Sequence, residues 1–312
     1  MVRIVPDGEL ALGLQLPVQA QSRRFVEPWE QSAGPEAVLA AAQAADESGF
    51  LYVGVCDHLG IPEAQVEVMQ PTWYEPLTTL AWIAQATTRV RLLTHVYVLA
   101  LRHPLEAGKA FATLDVLSGG RVIVGVGAGH VREEFDAMGV PFEERGAILD
   151  DAIDGLRAVL SSMPTTVTGR FAFEDLHVGP RPVQDHVPIW IGGSGAPALR
   201  RVAARGDGWI PQGTLLRDMP AHLDAIRDHR GERGTAELDL GGMALPVYVG
   251  EPDWDVGRWT TAGSPEQLAE LLRPYAELGC SHVQVRPRSR SIEEYVDQVH
   301  RLGTEVGPLL AR

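Results

Sequence analysis

The sequence predicts an α/β protein with a (β/α)8 TIM barrel, and three observations support this fold class. Short apolar runs alternate with alanine- and leucine-rich amphipathic segments along most of the 312 residues, as repeated βα units require. Eight of these runs have the length of strands, the number that a closed parallel barrel needs. The chain length suits that fold, and the composition shows no linker. We therefore expect a single barrel domain over residues 1–312, with an open doubly wound sheet as the alternative.

The first four βα units are the most regular part of the chain. Their predicted strands are Leu10–Leu16, Leu51–Cys56, Val90–Val98 and Arg121–Val126. Their predicted helices are Pro35–Ser48, Glu75–Ala86, Leu105–Leu117 and one over about 143–160. Glycines directly after helices, such as Gly49 and Gly119, mark the helix ends, because glycine readily adopts the left-handed conformation found there.

The regular alternation breaks between residues 161 and 187. This segment is rich in Gly, Pro, Thr and aromatic residues without a steady period, so we expect an irregular insertion that carries a hairpin. Substrate specificity is expected to diverge in it. After the insertion, the predicted strands are Pro188–Ile191, Gly208–Ile210, Met243–Val249 and His282–Val285. The predicted helices begin at Pro197, near Ala221, at Pro265 and at Ile292.

Composition narrows the class of partner and the compartment. The 27 basic and 41 acidic residues give a net charge of −14, which repels nucleic acid and anionic membranes. No segment approaches membrane-spanning length and the N-terminus shows no cleavage pattern, so we expect a cytoplasmic protein that acts on small molecules. Cys56 and Cys280 lack the spacing of zinc or redox motifs and are expected to be reduced core residues.

Active sites of such barrels lie at the carboxyl ends of the strands, and the second predicted strand ends in Asp57 and His58. A carboxylate favours the charged imidazolium, so this pair can hold a proton near neutral pH. A capping aspartate with an incidental histidine is the alternative. His95 and His130 could join the pair in a metal site, but the first strand lacks the His-x-His pair typical of barrel metal hydrolases, and we predict no metal.

Two glycine-rich stretches also follow strands. Residues 125–130 (GVGAGH) let the backbone approach a flat or phosphorylated ligand, although the spacing is not a dinucleotide fingerprint and no helix is predicted directly after it. Residues 192–197 (GGSGAP) open a helix with proline near its first turn, which leaves backbone amides free for an anion. A tight turn leaving the barrel and an ordinary βα turn are the respective alternatives.

Arg286 follows the last predicted strand and begins the densest basic cluster of this acidic chain, together with Arg288 and Arg290. Arginines bind phosphate and carboxylate groups through two parallel hydrogen bonds. We expect Arg286 to contact a phosphate or a polyglutamate-like tail, and a solvated surface loop is the alternative.

Taken together and in order, these strand ends resemble the luciferase-like monooxygenase superfamily, and within it the coenzyme F420-dependent oxidoreductases. The resemblance covers about residues 10–290. Its most specific stretches are residues 55–59 (VCDHL), 93–104 (LTHVYVLALRHP), 112–121 (ATLDVLSGGR), 125–130 (GVGAGH) and 188–195 (PIWIGGSG). Several such stretches in one order are more specific than any of them alone.

The resemblance implies an oxidoreductase whose flavin or deazaflavin ring lies across the strand ends. It places Asp57 and His58 at the ring, with His58 as proton donor or acceptor, and puts His95–Val96 where related enzymes carry a non-proline cis peptide. Further cofactor contacts are implied for the following residues: Gly127, Ala128, Gly129, His130, Gly192, Gly193 and Ser194. Relatives that oxidise sugar phosphates carry glutamate where His130 stands, so this substrate class is doubtful here.

The resemblance leaves two reactions open. The first is F420-dependent hydride transfer between C5 of the deazaflavin and a small organic substrate. The alternative is an FMN-dependent monooxygenase that uses O2 and reduced flavin, supplied by a separate flavin or F420 reductase. In either case the resemblance implies a homodimer. A third hypothesis is a flavin-binding protein without catalytic activity.

Overall fold

The computed structural model describes residues 3–23 and 26–310, and a closed barrel of eight parallel strands forms its centre. In spatial order around the barrel the strands are β1, β12, β9, β8, β7, β4, β3 and β2. Their bounds are β1 Ala11–Gln15, β2 Tyr52–Val55, β3 Arg91–Thr94, β4 Val122–Val126, β7 Ile189–Gly192, β8 Gly208–Ile210, β9 Asp239–Met243 and β12 His282–Val285. This is the predicted barrel, and the open doubly wound sheet is excluded.

Helices surround the barrel and follow its strands. They are α1 Pro35–Glu47, α2 Glu63–Met69, α3 Pro76–Ala86, α4 Pro104–Ser118, α5 Arg132–Met138, α6 Arg145–Ser161, α7 Ala196–Arg205, α8 Met219–Arg230, α9 Pro265–Glu277 and α10 Ile292–Arg301. The predicted helix ends agree with this list within a few residues, and Gly119 ends α4 in the left-handed conformation, at φ 68°. No helix of the described ranges is both long and apolar enough to cross a membrane.

Three aromatic rings in the barrel interior lie beside glycines. Tyr52, Trp190 and His282 are at most 1% exposed, and the rings of Trp190 and His282 stack 4.3 Å apart. Each ring has a glycine as its partner on the neighbouring strand: Gly13 for Tyr52, Gly208 for Trp190 and Gly241 for His282. A glycine beside each ring leaves the space that the ring occupies, so the interior reaches the dense packing of a protein core.

The insertion between α6 and β7 contains the predicted hairpin. Its strands are β5 Thr165–Val167 and β6 Phe173–Leu176, which pair antiparallel. The turn between them packs Phe171 against His103, with ring centroids 5.2 Å apart. Further along the insertion, the buried carboxylate of Asp115 on α4 accepts hydrogen bonds from the backbone of Val183 and Gln184. The insertion is therefore attached to the outer helices of the barrel.

The seventh predicted strand, Met243–Val249, was misplaced. The barrel strand is β9, Asp239–Met243, while β10 (Val247–Val249) pairs with β11 (Thr261–Gly263) outside the barrel. Gly241 and Gly242 interrupt the apolar run of β9 and so hide it from a periodicity argument. The structure explains why glycine occupies these two positions: a Cβ on Gly242 would lie 2.3 Å from the Tyr275 ring, and one on Gly241 would lie 2.6 Å from His282.

Three further local features differ from the prediction. The strand predicted over Val90–Val98 ends at Thr94, after which a short 3-10 helix covers Leu99–Leu101. The sequence did not predict α2, which is seven residues long and fully on the surface side, with no buried residue. It also did not predict α5, which begins at Arg132, two residues after the first glycine-rich stretch.

The packing of the aromatic rings against glycines predicts a large effect of a small substitution. In Gly13→Ala the new Cβ would lie 2.0 Å from Cζ of the fully buried Tyr52, which has no space to retreat. We expect a loss of about 1–3 kcal/mol in the free energy of unfolding, the usual cost of overpacking a core. Denaturant unfolding measures this value.

Gly146→Ala is the matched control. Gly146 lies in the first turn of α6, and its added Cβ would be 3.5 Å from the Arg201 side chain, an ordinary contact. This variant should unfold at the wild-type denaturant concentration or above it, because alanine favours a helix over glycine. Equal stabilities of the two variants would contradict the packing argument.

Candidate functional site

Asp57 lies directly after β2, and its carboxylate is fully engaged within the protein. Both oxygens accept hydrogen bonds from the Arg102 guanidinium, at 2.5 and 2.9 Å, and one also accepts from the backbone N–H of Val98 at 2.7 Å. Asp57 is 5% exposed. The Arg102 guanidinium in turn lies 4.2 Å from the centre of the Tyr97 ring. Asp57 thus ties the end of β2 to the segment that follows β3.

His58 has a different partner, a buried glutamate that the sequence did not suggest. Its Nδ1 lies 3.1 Å from Oε2 of Glu134 on α5, and the other oxygen of Glu134 accepts from the backbone N–H groups of Leu59 and Gly60. The side chain of His58 is 8% exposed and that of Glu134 is 2% exposed. Burial raises the pKa of Glu134, but the hydrogen bonds from His58 and the backbone outweigh it, so this pKa lies below its ordinary value.

Two rings enclose His58 on its other sides. The Trp73 ring meets it edge to face at 4.4 Å, and the His130 ring meets it edge to face at 5.2 Å. Partial burial and the nearby His58 lower the pKa of His130, which favours its neutral form at neutral pH. The structure therefore brings together two of the predicted site residues, His58 and His130, although they come from different strands.

The peptide bond between His95 and Val96 is cis, as the family resemblance suggested. Val96 lies between the loops after β4 and β7: a Cβ on Gly127 would be 2.5 Å from its side chain, and one on Gly192 would be 2.7 Å away. His95 points into the barrel and is 5% exposed, and burial lowers its pKa to about 4. His95 is accordingly neutral at neutral pH, and the Val96 side chain adjoins the glycine-rich loops.

The glycine-rich loops after β4 and β7 are the stretches in which the sequence predicts contacts to a phosphorylated ligand. Gly129 and Gly193 adopt positive φ angles of 77° and 110°, and Gly195 precedes α7 as its N-cap without a side-chain cap. The N–H groups of a helix's first turn attract anions when they lack partners. In α7, Pro197 has no N–H and the N–H of Ala198 donates to the Gly195 carbonyl, so Ala196 is the first-turn residue that offers its N–H. Ser194 lies beside them, and its hydroxyl is 2.5 Å from the hydroxyl of Thr214. Phosphate binding at the start of α7 stays a prediction.

Arg286 lies at the end of β12, on the same side of the barrel, next to a buried carboxylate. Its guanidinium is 3.6 Å from Oε1 of Glu27, and that of Arg288 is 2.6 Å from the same oxygen. Burial raises the pKa of Glu27, and the two arginines act against this rise. Glu27 thus carries one negative charge between two guanidinium groups, and the anion contact of Arg286 stays a prediction.

The metal constellation considered from the sequence does not assemble. Asp57 is paired with Arg102, and His95 is buried inside the barrel. Residues 3–23 and 26–310 contain no group of three or more Cys, His, Asp and Glu side chains arranged to bind a metal ion. Neither cysteine forms a disulfide, and Cys280 is buried while Cys56 is partly exposed.

Sequence reasoning missed two side chains that hold the site together, Arg102 and Glu134. Arg102 lies within a stretch that carried the family resemblance, so its position was visible but its partner was not. Glu134 is one of two adjacent glutamates in a helix that was not predicted, and Glu133 beside it is exposed. No local pattern in the sequence points to Glu134, because its partner His58 lies 76 residues earlier in the chain.

The parallel eight-stranded barrel, with a buried histidine–glutamate pair at the carboxyl ends of its strands, defines this protein as a TIM barrel whose candidate site lies where active sites of that fold are found. Residues 17–259 match the family described as luciferase-like monooxygenase. The chain therefore belongs to the luciferase-like monooxygenase family, and it is an oxidoreductase.

Individual relatives agree with this assignment. The chain is 37% identical over 314 residues to the F420-dependent glucose-6-phosphate dehydrogenase of Kineococcus radiotolerans, which covers 85% of this chain and 90% of that one. Its fold is similar to that of the monooxygenase RslO1 from Streptomyces bottropensis (TM-score 0.77, 20% identity, covering 96% and 99% of the two chains). It is equally similar to an F420-dependent secondary alcohol dehydrogenase (TM-score 0.77, 18% identity, covering 97% and 100%).

Proposed function

We propose that this protein is a coenzyme F420-dependent oxidoreductase in which His58 donates or accepts the proton that accompanies hydride transfer. The observation that carries the proposal is the His58–Glu134 pair: a nearly buried imidazole at a strand end, held by a carboxylate. A positioned histidine whose other ring nitrogen is fixed by a carboxylate is a common arrangement for acid–base catalysis. The relatives named for F420-dependent activity support the choice of cofactor.

Several residues of this chain fit the cofactor. The loops around Gly127, Ala128, Gly129 and His130 would line it, and Val96 would support its ring beside the glycines. The N–H group of Ala196 at the start of α7, with Gly192, Gly193 and Ser194, would hold its phosphate. When bound, the deazaflavin supplies hydride transfer at its C5 carbon. Asp57 has a supporting role in this proposal, since its carboxylate already binds Arg102 and Val98.

In this proposal the protein orients the cofactor and the substrate, excludes water from the site and transfers a proton. The Trp73 ring and the His130 ring enclose the His58 imidazole and limit the access of water to it. Glu134 accepts from Nδ1, so Nε2 is the nitrogen of His58 left to exchange a proton with a substrate oxygen. A substrate with a carbonyl or a hydroxyl group fits this chemistry, since its oxygen gains or loses a proton as the carbon is reduced or oxidised.

Cofactor binding tests the proposal directly. Purified protein is titrated with F420, with FMN and with the deazaflavin that lacks the phosphate-bearing side chain, and tryptophan fluorescence is followed. Trp73 lies against His58 and gives a reporter at the site. We expect F420 to bind more tightly than the phosphate-free deazaflavin, because only F420 of these two can place a phosphate at the N-terminus of α7. We also expect it to bind more tightly than FMN, as the relatives named for F420-dependent activity indicate.

The other outcomes decide between the alternatives. Preference for FMN, together with O2 consumption in the presence of reduced FMN, would identify a luciferase-like monooxygenase instead, supplied by a separate reductase. Binding of neither cofactor would overturn the proposal. Equal binding of F420 and the phosphate-free deazaflavin would retain the cofactor but remove α7 from its binding site.

A further inference from the structure

We infer that Glu134 is a positioning residue that holds the His58 ring in one orientation with the proton on Nδ1, leaving Nε2 for the reaction. This inference deepens the proposed function and, for its catalytic part, rests on it. Glu134 lies on α5, in the loop region after β4, whereas His58 follows β2, so the contact joins two separate strand ends.

Each carboxylate oxygen of Glu134 has its own hydrogen-bond partners. Oε2 is 3.1 Å from Nδ1 of His58, and Oε1 accepts from the N–H groups of Leu59 and Gly60. An ionised carboxylate can only accept hydrogen bonds, so Nδ1 of His58 must donate. The same side chain thus fixes the ring and the two residues after it. Rotation of the ring would break the hydrogen bond between two side chains that are almost fully buried.

The surroundings of the pair favour a single arrangement. The exposed fraction of Glu134 is 4%, so an uncompensated charge there would be costly, and His58 with the two backbone N–H groups compensates it. His130 lies edge to face with His58 and makes no hydrogen bond to Glu134 in the described structure. Phe135, the next residue of α5, is fully buried and anchors the helix that carries Glu134.

A purely structural role is the competing explanation, because Glu134 also holds the loop at Leu59 and Gly60. The two explanations differ in one substitution. In Glu134→Gln the amide oxygen can still accept from the loop, but the amide nitrogen then faces Nδ1 of His58 and can only donate. The loop contact survives, whereas the neutral imidazole must move its proton to Nε2. A positioning role therefore predicts a change of tautomer with the loop preserved.

The primary measurement is nitrogen-15 NMR of the histidine rings in the protein without added cofactor, at a pH where the imidazole is neutral. The His58 signal is assigned by its loss in His58→Gln. We expect the Nδ1–H tautomer in the wild type, the Nε2–H tautomer in Glu134→Gln, and the wild-type tautomer in Glu133→Gln. Glu133 is the matched control, since it is the exposed neighbour of Glu134 on the same helix.

Turnover and cofactor binding extend the test to the proposed function. We expect kcat to fall about 100-fold in Glu134→Gln, within the range that acid–base catalysis contributes, while F420 affinity stays equal to that of Glu133→Gln. A drop in F420 affinity with unchanged kcat would indicate a structural role and overturn the inference.

The wild-type spectrum alone keeps the inference falsifiable if Glu134→Gln does not fold, because an Nε2–H tautomer in the wild type would overturn it. The two proposals also fail separately. The expected tautomers without any F420 binding would refute the proposed cofactor and leave the positioning role intact. Binding of F420 with an unchanged tautomer in Glu134→Gln would refute the positioning role and leave the proposed cofactor intact.

Discussion

Substitution of His58 by alanine is expected to lower F420-dependent turnover by about 10²- to 10⁴-fold, the range that a positioned acid or base contributes. Affinity for F420 should change little, because the proposed cofactor contacts come from the backbone of the glycine-rich loops and from α7. The two quantities are separated by steady-state kinetics for kcat and by the fluorescence titration for the dissociation constant. His58→Gln, which retains a polar side chain of similar size, should show the same loss.

The control for this experiment is a histidine far from the site. His229 is exposed near the end of α8, on the outside of the barrel, and His229→Ala should retain wild-type kcat. Retained turnover in His58→Ala would remove the proton-transfer role from His58. A loss of cofactor binding in His58→Ala, with turnover restored at high F420, would show instead that the ring serves the cofactor.

Acidification is expected to destabilise the barrel from within, because His95 and His282 are buried as neutral rings. Burial lowers the pKa of His95 to about 4 and that of His282 to about 3, while an unfolded histidine has a pKa of about 6.5. Above about pH 6.5 neither state binds these protons, so the stabilisation is fully present. As the pH falls below this value the unfolded state binds protons first, and the free energy of unfolding decreases.

The expected size of this effect is large for a single side chain. Each histidine contributes a slope of about 1.4 kcal/mol per pH unit between the unfolded and the folded pKa, so His95 alone accounts for about 3 kcal/mol by pH 4. Denaturant unfolding at a series of pH values from 7 to 4 measures the slope. Other groups titrate in this range as well, so the comparison between wild type and a variant isolates the histidine.

His282→Phe is the variant for that comparison. Phenylalanine can still stack on Trp190 and fill the space beside Gly241, but it cannot bind a proton. The difference in free energy of unfolding between this variant and the wild type should shift in favour of the variant as the pH falls from 6.5 to 4. A difference that does not depend on pH would show that His282 is not buried in the neutral form.

The sequence predicted the parts of this fold that depend on local patterns. Seven of the eight barrel strands, the hairpin in the insertion and most helix ends follow from apolar periodicity and from glycine or proline at element ends. The exception, β9, was missed because Gly241 and Gly242 break its apolar run. The rings of His282 and Tyr275 occupy the space beside Gly241 and Gly242, where a larger side chain would not fit. Because these rings are distant in sequence, no local pattern could have identified the strand.

The candidate site was likewise predicted only in part from the sequence. The residues at strand ends, such as His58 and His130, were identified from the sequence alone, since the carboxyl ends of parallel strands must meet at one end of a barrel. The partners of these residues were decided only by the tertiary structure. Arg102 binds Asp57 across 45 residues, and Glu134 binds His58 across 76, because barrel closure brings these segments together and burial then requires each charge to find a partner.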